Sequence, residues 1–417
     1  MPNPSAEALP SEIILIGAGA VGTEIAAAHL NVGCGVRVCD VSAEAIERLV
    51  SDIAARFPRL SVGQDAQLRL GNGNLHSREL AVASDLCSCA FDRVSASSPT
   101  EGFALVIESI SENLMAKQAL LVDLQAWLGK RAVLCSNTST IPIHRLTAGL
   151  ANPQKVCGMH FFMPVLERPL VEVIAPGLAD PATLRVAIAH VQRLQKTALT
   201  VGDSPGFVVN RILAPYLNEA MRLLERGVAP EVLQDAALGF GMPMSPLELI
   251  DLIGTRTAFD AGRIYWQAFP QRLEPASVLA GMVKAKLLGR FAHRGFYSYE
   301  NQRRSEQLCP EASSVVARYQ RGSQSSLTVD QITWQLFLPM LVEADLMLLH
   351  AVVASMEEIE TAVRAGLGFQ RSDGFFYAFE RFGANRIAEE LMCRREQRSL
   401  TGFQVVVSRL RAARGKK

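Results

Sequence analysis

A histidine and a glutamate, each inside an apolar run, are the side chains of this sequence best suited to transfer a proton. His160 lies in Val156–Pro164 and Glu172 lies in Pro169–Ile174. Imidazole is the side chain whose proton affinity best suits a general base near neutral pH. A carboxylate bonded to it would fix its tautomer and stabilise the imidazolium. We predict a catalytic pair if the fold places the two runs side by side; such a pair can also be purely structural.

A cluster of hydroxyl groups follows a buried strand just before this histidine. The strand is Ala132–Cys135, and the segment after it, Ser136–Ile143, reads SNTSTIPI. In open α/β sheets, ligands bind at the carboxyl ends of the strands. The hydroxyl cluster is therefore expected at a substrate or cofactor site.

A glycine-rich turn near the start of the chain predicts a dinucleotide phosphate site. The β-branched run Glu12–Ile16 leads directly into Gly17-Ala18-Gly19-Ala20-Val21-Gly22, a G-x-G-x-x-G motif, and Thr23–Leu30 then has a helical pattern. The first glycine permits a tight turn, the second lets a pyrophosphate approach the backbone, and the third lets helix and strand pack closely. Ala20 and Val21 lie at the helix N-terminus, which faces the phosphates.

The position of Asp40 predicts which dinucleotide binds. This residue directly follows a second strand, Val36–Cys39, about 20 residues beyond the glycine motif. A carboxylate there can hydrogen-bond the ribose hydroxyls of NAD and would repel the extra phosphate of NADP. Arg37 lies within the strand, so we do not expect it to bind that phosphate. With NAD as hydride acceptor, His160 would take the proton of a secondary alcohol.

The elements that position these residues alternate between strand and helix. A buried strand at Ala104–Glu108 leads into a helix at Leu114–Leu128 and then into the strand before the hydroxyl cluster. This alternation predicts a Rossmann-type, doubly wound parallel sheet. Residues 51–83, which contain the turn Gly71–Asn74, have a less regular pattern.

Composition excludes several classes of protein. The 417 residues have a formal net charge of +1, 49% are hydrophobic and no block of one charge occurs, which argues against disorder and nucleic-acid binding. The eight cysteines are scattered, and Cys87-Ser88-Cys89 does not have zinc-site spacing, so we predict no metal. The N-terminus lacks a signal-like core and no stretch reads as a membrane span, so a cytoplasmic protein is expected.

The C-terminal half contains an internal repeat. The helical run Leu213–Leu224, a second helix at Glu231–Leu238 and the turn Gly239–Met242 recur, about 125 residues later, as Leu338–Ala344, Glu358–Ala365 and Gly366–Phe369. We interpret this as a duplicated helical domain; the alternative is two helix pairs that merely share amphipathic spacing. The predicted domains are a dinucleotide-binding domain at 11–203, a first helical domain at 204–300, a linker at 301–327 and a second helical domain at 328–417.

Several ordered motifs of this chain resemble those of the 3-hydroxyacyl-CoA dehydrogenase family. The motifs are SNTSTIPI, CGMHFFMPV, PLVEVI and SPGFVVNRIL, and the likeness extends from about Ser11 to Leu391. It is strongest with the dehydrogenase part of the bacterial multifunctional fatty-acid oxidation enzyme. The resemblance implies NAD-dependent, reversible oxidation of a 3-hydroxyacyl-CoA thioester. It also implies a separate hydratase or thiolase partner, since only about ten residues precede the first strand.

The resemblance also implies roles for individual residues. His160 is the catalytic base and Glu172 orients it, while Ser139 and Asn210 hold the substrate oxygen near the nicotinamide. Glu112 and Lys117 match positions that contact the cofactor, as does Ser139. In this family a second helical copy can occupy the place of a dimer partner, so we expect a monomer with an internal pseudo-dimer, or a homodimer.

One residue departs from the family pattern and leaves alternatives open. Met163 stands where the family has Asn, so part of the polar network of the site is missing or rebuilt, and residues 51–83, where the family grips coenzyme A, match poorly. One alternative is a biosynthetic dehydrogenase of a carrier-protein-bound hydroxyacyl thioester. Another is a non-catalytic NAD-binding structural protein, which the presence of all four catalytic residue types disfavours.

Overall fold

A computed structural model of the chain describes residues 9–10, 12–56, 104–128, 132–301, 303–322 and 326–414. The chain divides into two compact units, Met1–Asp203 and Ser204–Lys417. The irregular part of the sequence at 57–83 and the Cys87–Cys89 pair lie outside the described residues.

The first unit is built on a seven-stranded sheet with the order β2-β1-β3-β4-β5-β6-β7. All neighbouring strands are parallel except β5 and β6, which are antiparallel. The strand order reverses at β1, since β2 is added on one side of it and β3 on the other, and this creates the topological switch point where such sheets bind ligands. The strands are β1 (Glu12–Ile16), β2 (Gly35–Cys39), β3 (Ala104–Glu108), β4 (Ala132–Ser136), β5 (Val156–Phe161), β6 (Leu170–Ala175) and β7 (Thr197–Gly202).

Five helices in the described part of the first unit accompany this sheet. Because its central strands are covered on both faces, β3, β4 and β5 are almost entirely apolar and buried. The helices are α1 (Ala20–Asn31), α2 (Ala43–Arg56), α3 (Leu114–Leu128), α4 (Ile143–Leu146) and α5 (Pro181–Arg193), with a 3₁₀ turn at Pro153–Lys155. This architecture, with the helical region that follows, confirms the fold class predicted from the alternating pattern.

The second unit is helical. It also contains a short hairpin, Tyr299–Glu300 with Arg303–Arg304, and 3₁₀ turns at Arg290–Ala292 and Arg398–Leu400. A π-helical turn, Ala362–Gly366, continues the helix Met356–Thr361. Its helices are α6 (Val209–Glu225), α7 (Pro230–Phe240), α8 (Pro246–Ile253), α9 (Thr255–Ala268), α10 (Val278–Lys284), α11 (Pro310–Tyr319), α12 (Val329–Leu349), α13 (Met356–Thr361), α14 (Phe375–Glu380), α15 (Ala384–Cys393) and α16 (Gln404–Arg414).

The two copies of the predicted repeat pack against each other inside this unit. α6 and α12 correspond, and each contains an interior proline, Pro215 or Pro339. Phe337 of α12 stacks on Phe240 of α7 with ring centroids 3.8 Å apart, and it also contacts Tyr216 of α6. Aromatic contacts of this kind stabilise a core beyond the burial of their area.

The segment interpreted as a linker contains ordered structure. Helix α11 lies within residues 301–327, and its Ala312 and Val315 are buried. Cys309 caps it by accepting a hydrogen bond from the amide of Ala312. Polar composition concealed the helix, because only one side of it is apolar.

Helix α12 corrects the expectation that no stretch is long enough to span a membrane. Its 21 residues are long and apolar enough by length and composition, but 83% of its most apolar window is buried inside the protein. Glu343 and Asp345 in this helix pair with Arg211 and Arg409. Buried, ion-paired carboxylates and a protein-covered surface are typical of a core helix.

Candidate active site

The glycine turn has the shape that a dinucleotide requires. Gly17 has φ +109°, and a Cβ there would lie 2.4 Å from the carbonyl oxygen of Ser109. A Cβ on Gly22 would lie 2.0 Å from the carbonyl oxygen of Gly17, whereas a Cβ on Gly19 would meet nothing within 4 Å. The first and third glycines therefore allow close packing. The second leaves open space at the N-terminus of α1, where a pyrophosphate is expected.

Asp40 directly follows β2 and lies against this turn. Its carboxylate accepts hydrogen bonds from the amide of Ala18 at 2.7 Å and from the amide of Ser42 at 2.8 Å. It is therefore fixed beside the turn, as binding of ribose hydroxyls requires. Arg37, within the strand, forms an ion pair with Glu12 at 2.8 Å.

A buried ion pair connects β3 with α3. Glu108, the last residue of β3, and Lys117 have side chains only 1% exposed, and the ammonium lies 2.6 Å from Oε1. Glu108 also accepts hydrogen bonds from the Ser136 hydroxyl at 2.6 Å and from the Ile110 amide at 2.8 Å. These contacts satisfy a carboxylate that would otherwise be very costly to bury.

Glu112 organises the hydroxyl cluster after β4. Its Oε1 accepts hydrogen bonds from the hydroxyls of Thr138 at 2.7 Å and Thr140 at 2.8 Å, and from the amide of Ser139 at 3.1 Å. Burial alone would raise the pKa of Glu112, but Lys117, 3.5 Å away, and the hydroxyl bonds outweigh it and lower that pKa. The carboxylate is thus held ionised and fixes the half-buried Ser139 in its turn.

His160 and Glu172 are direct neighbours. The antiparallel pairing of β5 with β6 sets them opposite each other, and Nδ1 of the imidazole lies 2.8 Å from Oε2 of the carboxylate. His160 is 5% exposed and Glu172 is fully buried. In the tautomer that donates from Nδ1, the imidazole lone pair is on Nε2, the nitrogen that can accept a proton. This is the arrangement of an oriented general base.

Asn137 connects three strand ends. Its Oδ1 accepts the amide hydrogen of Phe161 at 2.9 Å, and its Nδ2 donates to the hydroxyl of Ser109 at 3.2 Å. Asn137 and Glu108 were not among the site residues predicted from the sequence. Their signals in the sequence were weak. Glu108 is an acidic residue at the end of a strand, and Asn137 is an amide within the hydroxyl cluster.

The remaining predicted residues take different positions. Asn210 is half-buried and is the second residue of α6, in the helical unit. Lys117 is directed at Glu108, Glu112 and the carbonyl of Ile110. Its burial makes it a support of the Glu112 turn; direct contact with the cofactor stays a prediction.

Met163 lies in the connection between β5 and β6, with 45% of the residue exposed. The side chains of Lys196 and Glu24 hold that connection in place. Lys196 donates to the carbonyls of Val165 and Arg168, and Glu24 accepts the Val165 amide at 3.1 Å. The thioether therefore stands at the surface of a fixed loop.

Family comparison covers both units. The model for "3-hydroxyacyl-CoA dehydrogenase, NAD binding domain" matches residues 12–204, and that for "3-hydroxyacyl-CoA dehydrogenase, C-terminal domain" matches residues 206–299. Together they cover more than half of the chain.

Solved structures agree with these matches. The (S)-3-hydroxybutyryl-CoA dehydrogenase of Ralstonia eutropha is 30% identical over 70% of this chain and 100% of that chain, with a TM-score of 0.57. The 3-hydroxybutyryl-CoA dehydrogenase of Escherichia coli is 24% identical, covers 98% of this chain and 100% of that chain, and has a TM-score of 0.74. The dehydrogenase part of a multifunctional enzyme of C. elegans is 19% identical over 95% of this chain and 88% of that chain, with a TM-score of 0.59. The last two show a likeness of fold. The chain belongs to the 3-hydroxyacyl-CoA dehydrogenase family of NAD-dependent oxidoreductases.

Proposed function

We propose that this enzyme oxidises the 3-hydroxyl group of a 3-hydroxyacyl-CoA to the 3-oxoacyl-CoA, reversibly, with NAD. The observation that carries the proposal is the buried His160–Glu172 pair, with 2.8 Å between its polar atoms. It belongs to the same sheet as the glycine turn and Asp40. The Ralstonia relative, named for a 3-hydroxybutyryl-CoA activity, supports a coenzyme A thioester as substrate.

In this mechanism His160 is the base. Bound NAD supplies the hydride acceptor. Nε2 of His160 takes the proton of the substrate hydroxyl, and Glu172 stabilises the resulting imidazolium. In the reverse direction the imidazolium returns the proton to the oxygen. Because both side chains are buried, little water competes for the transferred proton.

Ser139 and Asn210 are assigned to the substrate oxygen by their match to the family motifs. The structure supports the first assignment through Glu112, which holds the turn at Ser139 by hydrogen bonds from its backbone and neighbouring hydroxyls. A preorganised hydroxyl costs little reorganisation during reaction. Glu112 and Lys117 therefore act as positioning residues in this proposal.

Replacing His160 tests the mechanism. His160→Gln should lower kcat by about 10²–10⁴ with the best acyl thioester, because the general base is lost. NAD affinity should stay within a few fold of the wild type. Stopped-flow NADH formation and equilibrium NAD titration give the two values. Near-normal turnover of the variant would rule out His160 as the base.

A second candidate substrate is a hydroxyacyl group on a carrier protein. The exposed Met163 in the connection between β5 and β6 favours this alternative. Met163 stands in place of the family Asn, so this part of the surface presents an apolar side chain where the family has a polar one. Rates of NADH formation with matched 3-hydroxybutyryl thioesters of coenzyme A and of acyl-carrier protein would decide between them. The coenzyme A proposal requires the higher kcat/KM with the coenzyme A thioester.

The same proposal places the enzyme in β-oxidation in the cytoplasm. A 3-hydroxyacyl thioester arises by hydration of an enoyl thioester, and the 3-oxo product is a substrate for thiolytic cleavage. A hydratase and a thiolase would therefore act before and after this enzyme.

A further inference from the structure

The helical unit contains a polar cavity of about 340 Å³ lined by four arginines. Arg222 and Arg226 extend from the C-terminal half of α6, and Arg394 and Arg398 follow α15. Its volume is at the lower end of the range for small-molecule pockets. None of these residues belongs to the proposed catalytic or NAD-binding set.

The four guanidinium groups differ in their partners within the described part of the chain. Arg222 pairs with Glu274 at 2.7 Å, and Arg394 pairs with Glu390. Arg226 donates to the amide oxygen of Gln335 at 3.0 Å. Among the described residues, neither Arg226 nor Arg398 has a carboxylate within 4.0 Å. The lining also includes Glu274, which pairs with Arg222, and the exposed Glu396, which pairs with Arg395 at 3.5 Å. The positive charge available to an anion is therefore that of Arg226 and Arg398.

Two further polar groups of the cavity, Glu219 and Gln397, are compatible with an anion that bears hydroxyls. Burial raises the pKa of Glu219, which weakens its repulsion of a bound anion. The Oε1 atom of Gln397 is buried and has no hydrogen-bond partner among the described residues. Because a buried acceptor without a donor is destabilising, a ligand hydroxyl would find a favourable partner there.

Comparison of the two repeats indicates that the fold does not require this cavity. Glu219 on α6 and Glu343 on α12 are equivalent, each four residues beyond the interior proline of its helix. Glu343 pairs with Arg211 at 2.8 Å and Arg272 at 3.2 Å, and both guanidinium groups lie over the ring of Phe269. Aromatic and charged side chains therefore fill the space on that side.

Glu219 is also buried, but it lies at the wall of the cavity, with Arg222 4.0 Å away. Its carboxylate accepts a hydrogen bond from the Ser399 hydroxyl at 2.9 Å, and the remaining space is the arginine-lined cavity. The two repeats therefore differ at this position. Glu343 lies in a packed cluster of ion pairs, whereas Glu219 lies beside an arginine-lined cavity.

We propose that this cavity binds a phosphomonoester with a small hydroxylated body. Guanidinium groups match phosphate oxygens in paired hydrogen bonds, so Arg226 and Arg398 would hold the phosphate. A hydroxyl of the ligand would donate to Gln397. The cavity is a ligand site additional to those for substrate and NAD.

Cys393 provides a direct measure of occupancy, because it lines the cavity and is exposed. The rate of its alkylation by iodoacetamide is followed by peptide mass spectrometry in the intact enzyme with NAD. Protection by glycerol 3-phosphate, inorganic phosphate and succinate is compared, with sodium chloride added to keep the ionic strength constant. At ten times its dissociation constant, glycerol 3-phosphate should slow alkylation about tenfold, since about a tenth of the sites stay empty.

Matched double variants make the test specific. Arg226→Gln/Arg398→Gln should abolish protection and leave dehydrogenase activity unchanged. Arg256→Gln/Arg263→Gln removes two exposed guanidinium groups from α9 of the same unit and should keep protection. The proposal is overturned if glycerol 3-phosphate gives no protection, if the cavity variant remains protected, or if phosphate or succinate protects at equal or lower concentration.

Discussion

Asp40 is a single carboxylate beside the glycine turn, and we predict that it sets the choice of cofactor. A 2′-phosphate would bring its charge close to this fixed carboxylate, and like charges in contact cost several kcal/mol. We expect kcat/KM to favour NAD over NADP by about a hundredfold or more. Steady-state kinetics with both cofactors give this ratio.

Asp40→Ser is the variant that checks this cause. It keeps a hydrogen-bonding side chain and removes the charge. The ratio of kcat/KM with NAD to that with NADP should therefore fall, mainly because kcat/KM with NADP rises. Asp52→Ser, on the exposed side of α2, serves as a charge control and should leave the ratio unchanged. A wild-type enzyme that uses both cofactors equally well would contradict the assignment.

Lys117 illustrates a residue whose main contribution is to keep a buried charge compensated. Lys117→Met would leave the Glu108 carboxylate buried without its cation, so the free energy of unfolding should fall by about 3–5 kcal/mol. Lys155→Met removes the partly exposed pair with Asp180, 3.7 Å apart, and should cost about 1 kcal/mol or less. Urea unfolding followed by circular dichroism measures both. Equal losses in the two variants would argue against a buried, essential pair.

The positions of some candidate site residues in the fold could be predicted from the sequence, and those of others could not. Gly17, Gly19, Gly22 and Asp40 could be placed because a local turn and a strand end fix them. The ion pair of Glu108 with Lys117 could not, because it depends on how α3 packs beside β3. That packing is a tertiary contact that no local pattern records.

At the scale of elements, the register of β5 with β6 decides whether His160 and Glu172, the proposed catalytic pair, are in contact. The sequence placed His160 and Glu172 in two strand-like runs. It did not show whether the second strand runs parallel or antiparallel to the first. In the structure the chain turns back after β5, and His160 pairs directly with Glu172. Since side chains alternate between faces, a shift by one residue would separate them.

Helices α1 and α5 are joined by a histidine pair that should make the first unit sensitive to acid. Nε2 of His29 lies 2.9 Å from Nε2 of His190, and both residues are fully buried. Burial lowers the pKa of His29 to about 4 and that of His190 to about 3, from the ordinary 6.5. Below pH 6.5 the unfolded chain therefore binds more protons than the folded protein.

The stability that comes from these neutral histidines is complete above pH 6.5 and is lost as the pH falls towards 4. Each unit of pKa difference corresponds to about 1.4 kcal/mol. Thermal unfolding from pH 7 to pH 4 should show a decline that His29→Gln/His190→Gln makes shallower. His293→Asn, which replaces an exposed histidine of the helical unit, should keep the wild-type slope. A double variant with an unchanged slope would exclude the pair as the cause.

At the scale of the whole molecule, the repeat was predicted from the sequence because prolines and glycines recur with the helices. Gly241, which ends α7 with φ +128°, leaves no room for a Cβ because Phe369 and Arg371 of the second copy pack against it. Its carbonyl accepts the amide of Gln370 at 2.9 Å. The contact between the copies was therefore predictable. Helix α11 was not, because a short amphipathic helix resembles a polar linker in composition.

Packing of the second copy against the first predicts what its removal would do. A chain that ends at Ser326 lacks α12, so Tyr216 of α6 and Phe240 of α7 lose the ring of Phe337. Their apolar faces would then be open to solvent, which soluble monomers rarely tolerate over a large area. We expect the shortened chain to aggregate or to pair through the exposed first copy, and the intact chain not to need a partner for this surface.

Light scattering on the intact and shortened chains, at several concentrations, separates these outcomes. A variant of the full chain with Phe337→Asp provides an independent disturbance of the same contact, and it should associate or unfold in the same way. Trp266→Asp, which alters a side chain already 40% exposed in α9, is the matched control and should behave like the intact chain. A shortened chain that stays monomeric and fully soluble would mean that the second copy does not act as an internal partner.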